Sequence, residues 1–159
     1  MLEVGNFPNS SASYFVESRS HFGAWCITSS PLILGLDVTD EAKVQGVWSI
    51  ISNREAIAVN QAWEGHPGRL VRETQGSFQI WAKRVGVKAQ AVLVLNLESA
   101  GKTVDLTLTL GELGLSGKVT SRDVWRHSEG PNVGADGAVH VSGLASHDSV
   151  FYVFTEQEG

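Results

Sequence analysis

Apolar positions recur with a helical period in the first part of the chain and with a period of two afterwards, and the change falls at Gly65-His66-Pro67-Gly68. Ser13 is placed to cap a helix running to about Thr28, with Phe15, Phe22 and Cys26 on one stripe, Arg19 alongside and Trp25 at its edge. Ser30-Pro31-Leu32-Ile33-Leu34-Gly35 follows, an apolar run opened by proline and closed by glycine. A run that short suits a strand buried on both faces, as parallel sheets require. Asp37 or Thr39 can cap the next helix, in which Val44, Val47, Trp48 and Ile51 recur at i, i+3, i+4 and i+7. Ser52-Asn53-Arg54-Glu55 has the form of a capping box, serine to a free backbone N–H and glutamate reaching back, and restarts a short helix through Ala56-Ile57-Ala58-Val59. Helix, buried strand, helix is the order of a parallel α/β fold.

Past the change the pattern is that of strands. Ser77-Phe78-Gln79-Ile80-Trp81-Ala82-Lys83 alternates, as does Val104-Asp105-Leu106-Thr107-Leu108-Thr109-Leu110, while Ala91-Val92-Leu93-Val94-Leu95 reads as a central strand buried on both sides. Further strands are expected at 69–73, 118–125, 138–141 and 149–154, with glycines punctuating the turns. About seven short strands so spaced describe an antiparallel β-sandwich. The expected fold class is therefore α/β plus all-β: residues 1–66 as the C-terminal end of a (β/α)8 barrel, residues 67–159 as a β-sandwich. A complete barrel takes about 250 residues, so 66 residues supply one or two units and leave Leu32–Leu34 without the neighbours a buried strand needs. The chain thus reads as a carboxy-terminal piece of a larger enzyme.

Composition adds exclusions. Twelve Lys and Arg against seventeen Asp and Glu, with no basic cluster, argue against a nucleic-acid partner. No run approaches the roughly 20 apolar residues of a membrane span. Met1-Leu2-Glu3-Val4-Gly5-Asn6 has neither the basic segment nor the apolar core of a signal peptide. Cys26 is the single cysteine, so no internal disulfide forms. Asn9-Ser10-Ser11 matches a glycosylation sequon that matters only in a secreted protein. The compartment stays open: secreted, lysosomal or vacuolar if a longer parent carries a signal peptide.

Candidate chemistry is sparse. His21, His66, His127, His140 and His147 show no metal-ligand spacing, and no cofactor or metal is expected. His147-Asp148 reads as a polar turn before the last strand, because adjacent strand residues point to opposite faces. Asp37, Asp40 and Glu41 cluster where barrel active sites form, after a strand, yet Asp40 and Glu41 occupy a helix's first turn, where carboxylates serve capping and the dipole. Asp37 is assigned a cap or a rim hydrogen bond. No serine stands in a Gly-x-Ser-x-Gly elbow, and no glycine-rich phosphate loop precedes a helix. Trp48 and Trp81 are in phase with apolar neighbours and are assigned to the core, whereas Trp63 in the loop Ala62-Trp63-Glu64-Gly65 is expected to be exposed.

Several strings occur together in order: Met1-Leu2-Glu3-Val4-Gly5-Asn6, Ser20-His21-Phe22-Gly23-Ala24-Trp25, Ser30-Pro31-Leu32-Ile33-Leu34-Gly35-Leu36-Asp37 and Ile51-Ser52-Asn53-Arg54-Glu55-Ala56-Ile57-Ala58-Val59-Asn60-Gln61. In the second part Val71-Arg72, Phe78-Gln79-Ile80-Trp81, Leu93-Val94-Leu95-Asn96, Arg122-Asp123-Val124-Trp125 and Ser146-His147-Asp148 continue the series. With these strings the chain resembles the C-terminal part of glycoside hydrolase family 27, the α-galactosidases and α-N-acetylgalactosaminidases. The resemblance implies a retaining glycosidase acting on terminal α-galactosides, the substrate of the full-length enzyme. It also implies that both catalytic aspartates precede the Met-Leu string, so that no catalytic residue lies in this chain and residues 1–159 alone are inactive. One substrate-binding position carries over: Met1 matches the methionine that packs against the sugar. Where the family has Asn-Gln-Asp-Pro-Leu-Gly, this chain has Asn60-Gln61-Ala62-Trp63-Glu64-Gly65, a departure at the end of the barrel. The alternative is a non-catalytic module in which the sandwich binds carbohydrate or only braces the barrel, and bracing ranks above sugar binding.

Overall fold

The computed structural model describes residues 1–6 and 14–157; the sequon at Asn9 and the cap expected at Ser13 lie outside the described residues. Three helices come first, α1 (Tyr14–Ile27), α2 (Glu41–Ile51) and α3 (Arg54–Gln61). Eight strands follow: β1 (Arg69–Thr74), β2 (Phe78–Gly86), β3 (Ala89–Asn96), β4 (Val104–Thr109), β5 (Val119–Asp123), β6 (Ser128–Glu129), β7 (Ala138–Leu144) and β8 (Ser149–Glu156). Six make an antiparallel sheet in the order β1-β2-β3-β8-β5-β6, and β4 pairs with β7 in a second sheet.

The large sheet is covered on both faces, which explains its central strands. Residues 91–94 of β3 are buried without a break, because alternate side chains enter two different cores. On one side Ala91, Leu93, Val124 and Phe151 pack against Phe22, Cys26, Ile27, Ala56 and Val59 of the helices. On the other, Ile80, Val92, Val94, Tyr152 and Phe154 meet Leu108, Val139, Val141 and Leu144 of the two-stranded sheet. The sandwich therefore has helices on its outer face.

Several local expectations are corrected. Phe15 is 38% exposed, and the buried face of α1 instead holds Ser18, Phe22, Gly23, Cys26 and Ile27. Neither Asp37 nor Thr39 caps α2; Asp37 Oδ1 accepts from the N–H and hydroxyl of Thr39, and Asp40 takes the cap, its Oδ1 accepting from Lys43 N at 3.1 Å. Ser52 closes α2, donating to Trp48 O, while Asn53 opens α3 by accepting from Glu55 N and Ala56 N, both at 3.0 Å. The N-cap thus falls one residue later than expected and the reciprocal box is not made: Asn53 also reaches the sandwich, and the Glu55 carboxylate turns to Arg122 instead of back to the cap. Trp48 is 55% exposed, so the buried side of α2 is Val47 and Ile50.

The run at 32–34 is not buried on both faces: Ile33 is 59% and Leu34 38% exposed. It finds one partner, a parallel bridge between Leu34 and Leu2, in which Leu2 N donates to Ile33 O at 2.7 Å and Gly35 N to Leu2 O at 3.0 Å. Leu2, Val4 and Leu36 are nonetheless buried, because they face the helices.

Candidate functional site: the seam between helices and sandwich

The sequence-predicted positions do not converge on a reaction centre. Met1 is 72% exposed. Asp37 is tied to Thr39, whose two bonds hold its carboxyl below the usual range, and Asp40 is spent on its helix cap. A retaining glycosidase needs two carboxyl groups about 5–5.5 Å apart and facing one bond. Among the described residues these two acids instead serve their own backbone. No group of three or more His, Cys, Asp or Glu able to hold a metal occurs among the described residues. His21 packs against the Trp25 ring at 5.7 Å and accepts from Glu3 N at 3.1 Å; burial lowers its pKa.

What the chain does assemble is a polar and apolar seam joining the helices to the large sheet. Arg19 of α1 pairs with Asp148 at 2.5 Å, its guanidinium lying 5.8 Å from the Phe15 ring and 6.0 Å from that of Trp125. Beside it Ser20 Oγ donates to His147 O at 2.8 Å. His147 adopts φ 60°, so His147-Asp148 is the turn expected from the sequence, and that turn grips a helix. Asn53, besides capping α3, donates from Nδ2 to Val124 O at 2.9 Å. Glu55 accepts a two-pronged pair from Arg122, at 2.9 and 2.7 Å, and faces His127 Nδ1 at 2.9 Å. The Arg122 bonds above all pull the Glu55 pKa down to about 2.

Lys83 is the centre of this seam. Its side chain is fully buried, and Nζ donates to Ser29 Oγ at 2.6 Å, Val59 O at 2.5 Å and Asn60 O at 3.1 Å. All three ammonium hydrogens thus meet oxygens at the C-terminal ends of α1 and α3, where carbonyls lack helical partners. Burial lowers its pKa, and burial pushes the Cys26 thiol up to about 12. Close approach is also built in by glycine: a Cβ at Gly68 would stand 2.3 Å from Ile27 O, and one at Gly23 would stand 2.9 Å from both Leu93 and Trp125.

Sequence reasoning missed Lys83, Asn53 and Arg122 as seam residues. A signal existed for the first: Trp81, Lys83 and Val85 share one strand face, and in a sheet covered on both sides a lysine on either face is inside. A polar recess of about 350 Å³ opens at the seam between Arg19, Trp125, Arg126, His140 and Tyr152. Its carboxylates are committed, Asp148 to Arg19 and Asp123 to the N–H groups of Trp125 and Arg126.

Fold and seam define a class: the closing part of a (β/α) barrel, carried on a C-terminal β-sandwich. The family profile described as the alpha galactosidase C-terminal beta sandwich domain matches residues 75–154. The chain belongs to the α-galactosidases of glycoside hydrolase family 27 and corresponds to their C-terminal region. It is similar to the α-galactosidase of Oryza sativa subsp. japonica, 38% identical over 157 residues, covering 98% of this chain and 34% of the rice protein. It is 35% identical to the Coffea arabica α-galactosidase, covering 99% of this chain and 39% of that one. Its structure is similar to that of α-galactosidase I from Mortierella vinacea, with TM-score 0.79 and 26% identity, covering 99% of this chain and 38% of the other. The chain spans little more than a third of the length of these relatives.

Proposed function

We propose that residues 1–159 serve as barrel end and bracing sandwich of a retaining enzyme that hydrolyses terminal α-D-galactosides. On this reading residues 1–66 complete the barrel and 67–159 brace it, and the two catalytic carboxylates come from outside these residues. Met1 lines the sugar pocket once the barrel around it is whole. The observation that carries the reading is the asymmetry of the helical layer. Its sandwich side is closed by Lys83, Asn53, Arg19 and the apolar seam, while Ile33, Val38 and Trp48 of residues 1–66 are left exposed. The acids that the chain does hold at the strand end, Asp37 and Asp40, are already committed to local bonds.

The test is hydrolysis of an aryl α-galactoside by purified residues 1–159, with no turnover above a buffer blank expected. Turnover that Asp37→Asn or Asp40→Asn abolishes would overturn the reading. A second reading, sugar binding by the sandwich side, rests on Trp63, which is 62% exposed. Titration with galactose while following tryptophan fluorescence decides it: a flat response into the millimolar range, about 4 kcal/mol of affinity, removes it.

A further inference from the structure

The polar recess of about 350 Å³ beside the seam holds hydrogen-bonding groups that the fold itself does not use. Tyr152 is only 9% exposed, yet its hydroxyl makes no hydrogen bond among the described residues. A polar group so buried is normally paired. Burial raises its pKa, Asp123 adds to the rise and Arg126 opposes it, so the hydroxyl lies near two groups that also line the recess. Arg19 Nε is likewise buried without a hydrogen-bond partner, although the same guanidinium pairs with Asp148. Arg126 is 82% exposed, and its Nε stands 3.9 Å from Asp123 Oδ2, beyond hydrogen-bond reach, so both keep bonding capacity. One wall is formed by six consecutive residues, 140–145, and no residue of β4 reaches it, so this wall is the strand-free edge of β7.

We propose that this recess binds a neutral sugar of one or two rings. Three observations select that ligand. The arginines and aspartates that line the recess balance, Arg19 with Asp148 and Arg126 with Asp123, so an ion of either sign meets a like charge as well as an opposite one. The groups left over are a mixture, donors from Arg19 Nε and Arg126, an acceptor in Asp123 Oδ2, and a Tyr152 hydroxyl that is both. Sugar hydroxyls each donate and accept, which is the pairing such a mixture satisfies. The volume stands at the small end of the roughly 300–1,000 Å³ of small-molecule sites, and Trp125 adds aromatic surface for the C–H groups of a ring. Trp63 takes no part in the recess, and the inference does not depend on the functional reading above.

The experiment titrates isotopically labelled residues 1–159 with D-galactose and with melibiose, following the backbone amides and the Trp125 indole N–H by NMR. Saturable shifts centred on residues 123–126 and 140–145 are expected, with millimolar affinity. Tyr152→Phe keeps the ring, removes only the hydroxyl and is expected to weaken binding about threefold to tenfold. Arg126→Ala is expected to weaken it about tenfold or more. Both variants should leave the thermal melt in place, because neither lost group is hydrogen-bonded within the fold. Trp63→Ala should leave the affinity unchanged. No shift up to about 100 mM of either sugar would overturn the inference, since that bounds the affinity well below the millimolar range. Shifts that Trp63→Ala removes, or an affinity that Tyr152→Phe and Arg126→Ala both leave unchanged, would overturn it as well. So would tighter binding of inorganic phosphate than of sugar, which would make the recess an anion site.

Discussion

Replacing Lys83 by methionine keeps the length and apolar stem of the side chain and removes the ammonium that joins β2 to the ends of α1 and α3. Three hydrogen bonds go at once, to Ser29 Oγ, Val59 O and Asn60 O. The two carbonyls are left in a buried region without that donor, at about 1–3 kcal/mol each. Against this stands relief of the charge-burial cost that depresses the lysine's pKa, commonly a few kcal/mol for a buried ion. With a gross loss of about 2–6 kcal/mol set against a relief of about 2–3 kcal/mol, the net loss centres on about 1–2 kcal/mol, a readable part of the roughly 5–15 kcal/mol that holds a domain folded. Urea unfolding of residues 1–159 at pH 7, followed by tryptophan fluorescence, reads it as a lower midpoint at constant slope. Lys102→Met is the control, because that lysine is 63% exposed in an i,i+4 pair with Glu98 and its loss moves stability by less than about 0.5 kcal/mol. A Lys83→Met midpoint equal to or above that of the unmodified chain would refute the reasoning, since it would mean that burial of the charge cancels its three bonds.

Three further outcomes are expected. Asn53→Ala loses a helix cap and strands Val124 O, costing about 2–3 kcal/mol, while Ser52→Ala costs under about 0.5 kcal/mol; thermal melts of the pair test the corrected cap position. The Glu55 carboxyl is lowered from 4.5 to about 2 in the folded chain, so its stabilisation is complete above pH 4.5 and is lost as pH falls toward 2. Because the pair is partly exposed, Glu55→Gln costs only about 1 kcal/mol or less at pH 7, and the gap from the unmodified chain closes near pH 2 in acid titrations. Gly68→Ala drives a methyl into Ile27 O and destabilises by about 2 kcal/mol or more, whereas Gly46→Ala, in open space on exposed α2, stabilises by up to about 1 kcal/mol; calorimetry distinguishes them.

The architecture was legible because its two parts carry different periods. The switch from 3.6 to 2 near Gly65 and the unbroken apolar run 91–95 lead directly to three helices and a covered sheet. The misread positions share one cause. Trp48, Ile33 and Leu34 follow apolar periodicities, yet each is more than a third exposed, because periodicity marks a face without saying what covers it. Lys83, Asn53 and Arg122 were illegible for another reason. Each joins residues 23 to 71 positions apart, and no local period encodes which loop carbonyl or carboxylate a long polar side chain will meet. β6 escaped notice because two residues are too few to show any alternation.

The place of β8 has a consequence for synthesis. Residues 149–156 sit between β3 and β5, with Phe151 in the core shared with α1 and the preceding Asp148 paired to Arg19, so a central strand of the large sheet is the last of its strands to be made. Until it has left the ribosome, β1-β2-β3 and β5-β6 have no common backbone ladder, and Arg19 waits for a partner 129 residues away. Completion of the sheet is therefore expected as a late step, after the helices and the first hairpins have been made. A nonsense codon near residue 148 would therefore leave β1-β2-β3 and β5-β6 as separate ladders, with the middle of the six-stranded sheet missing.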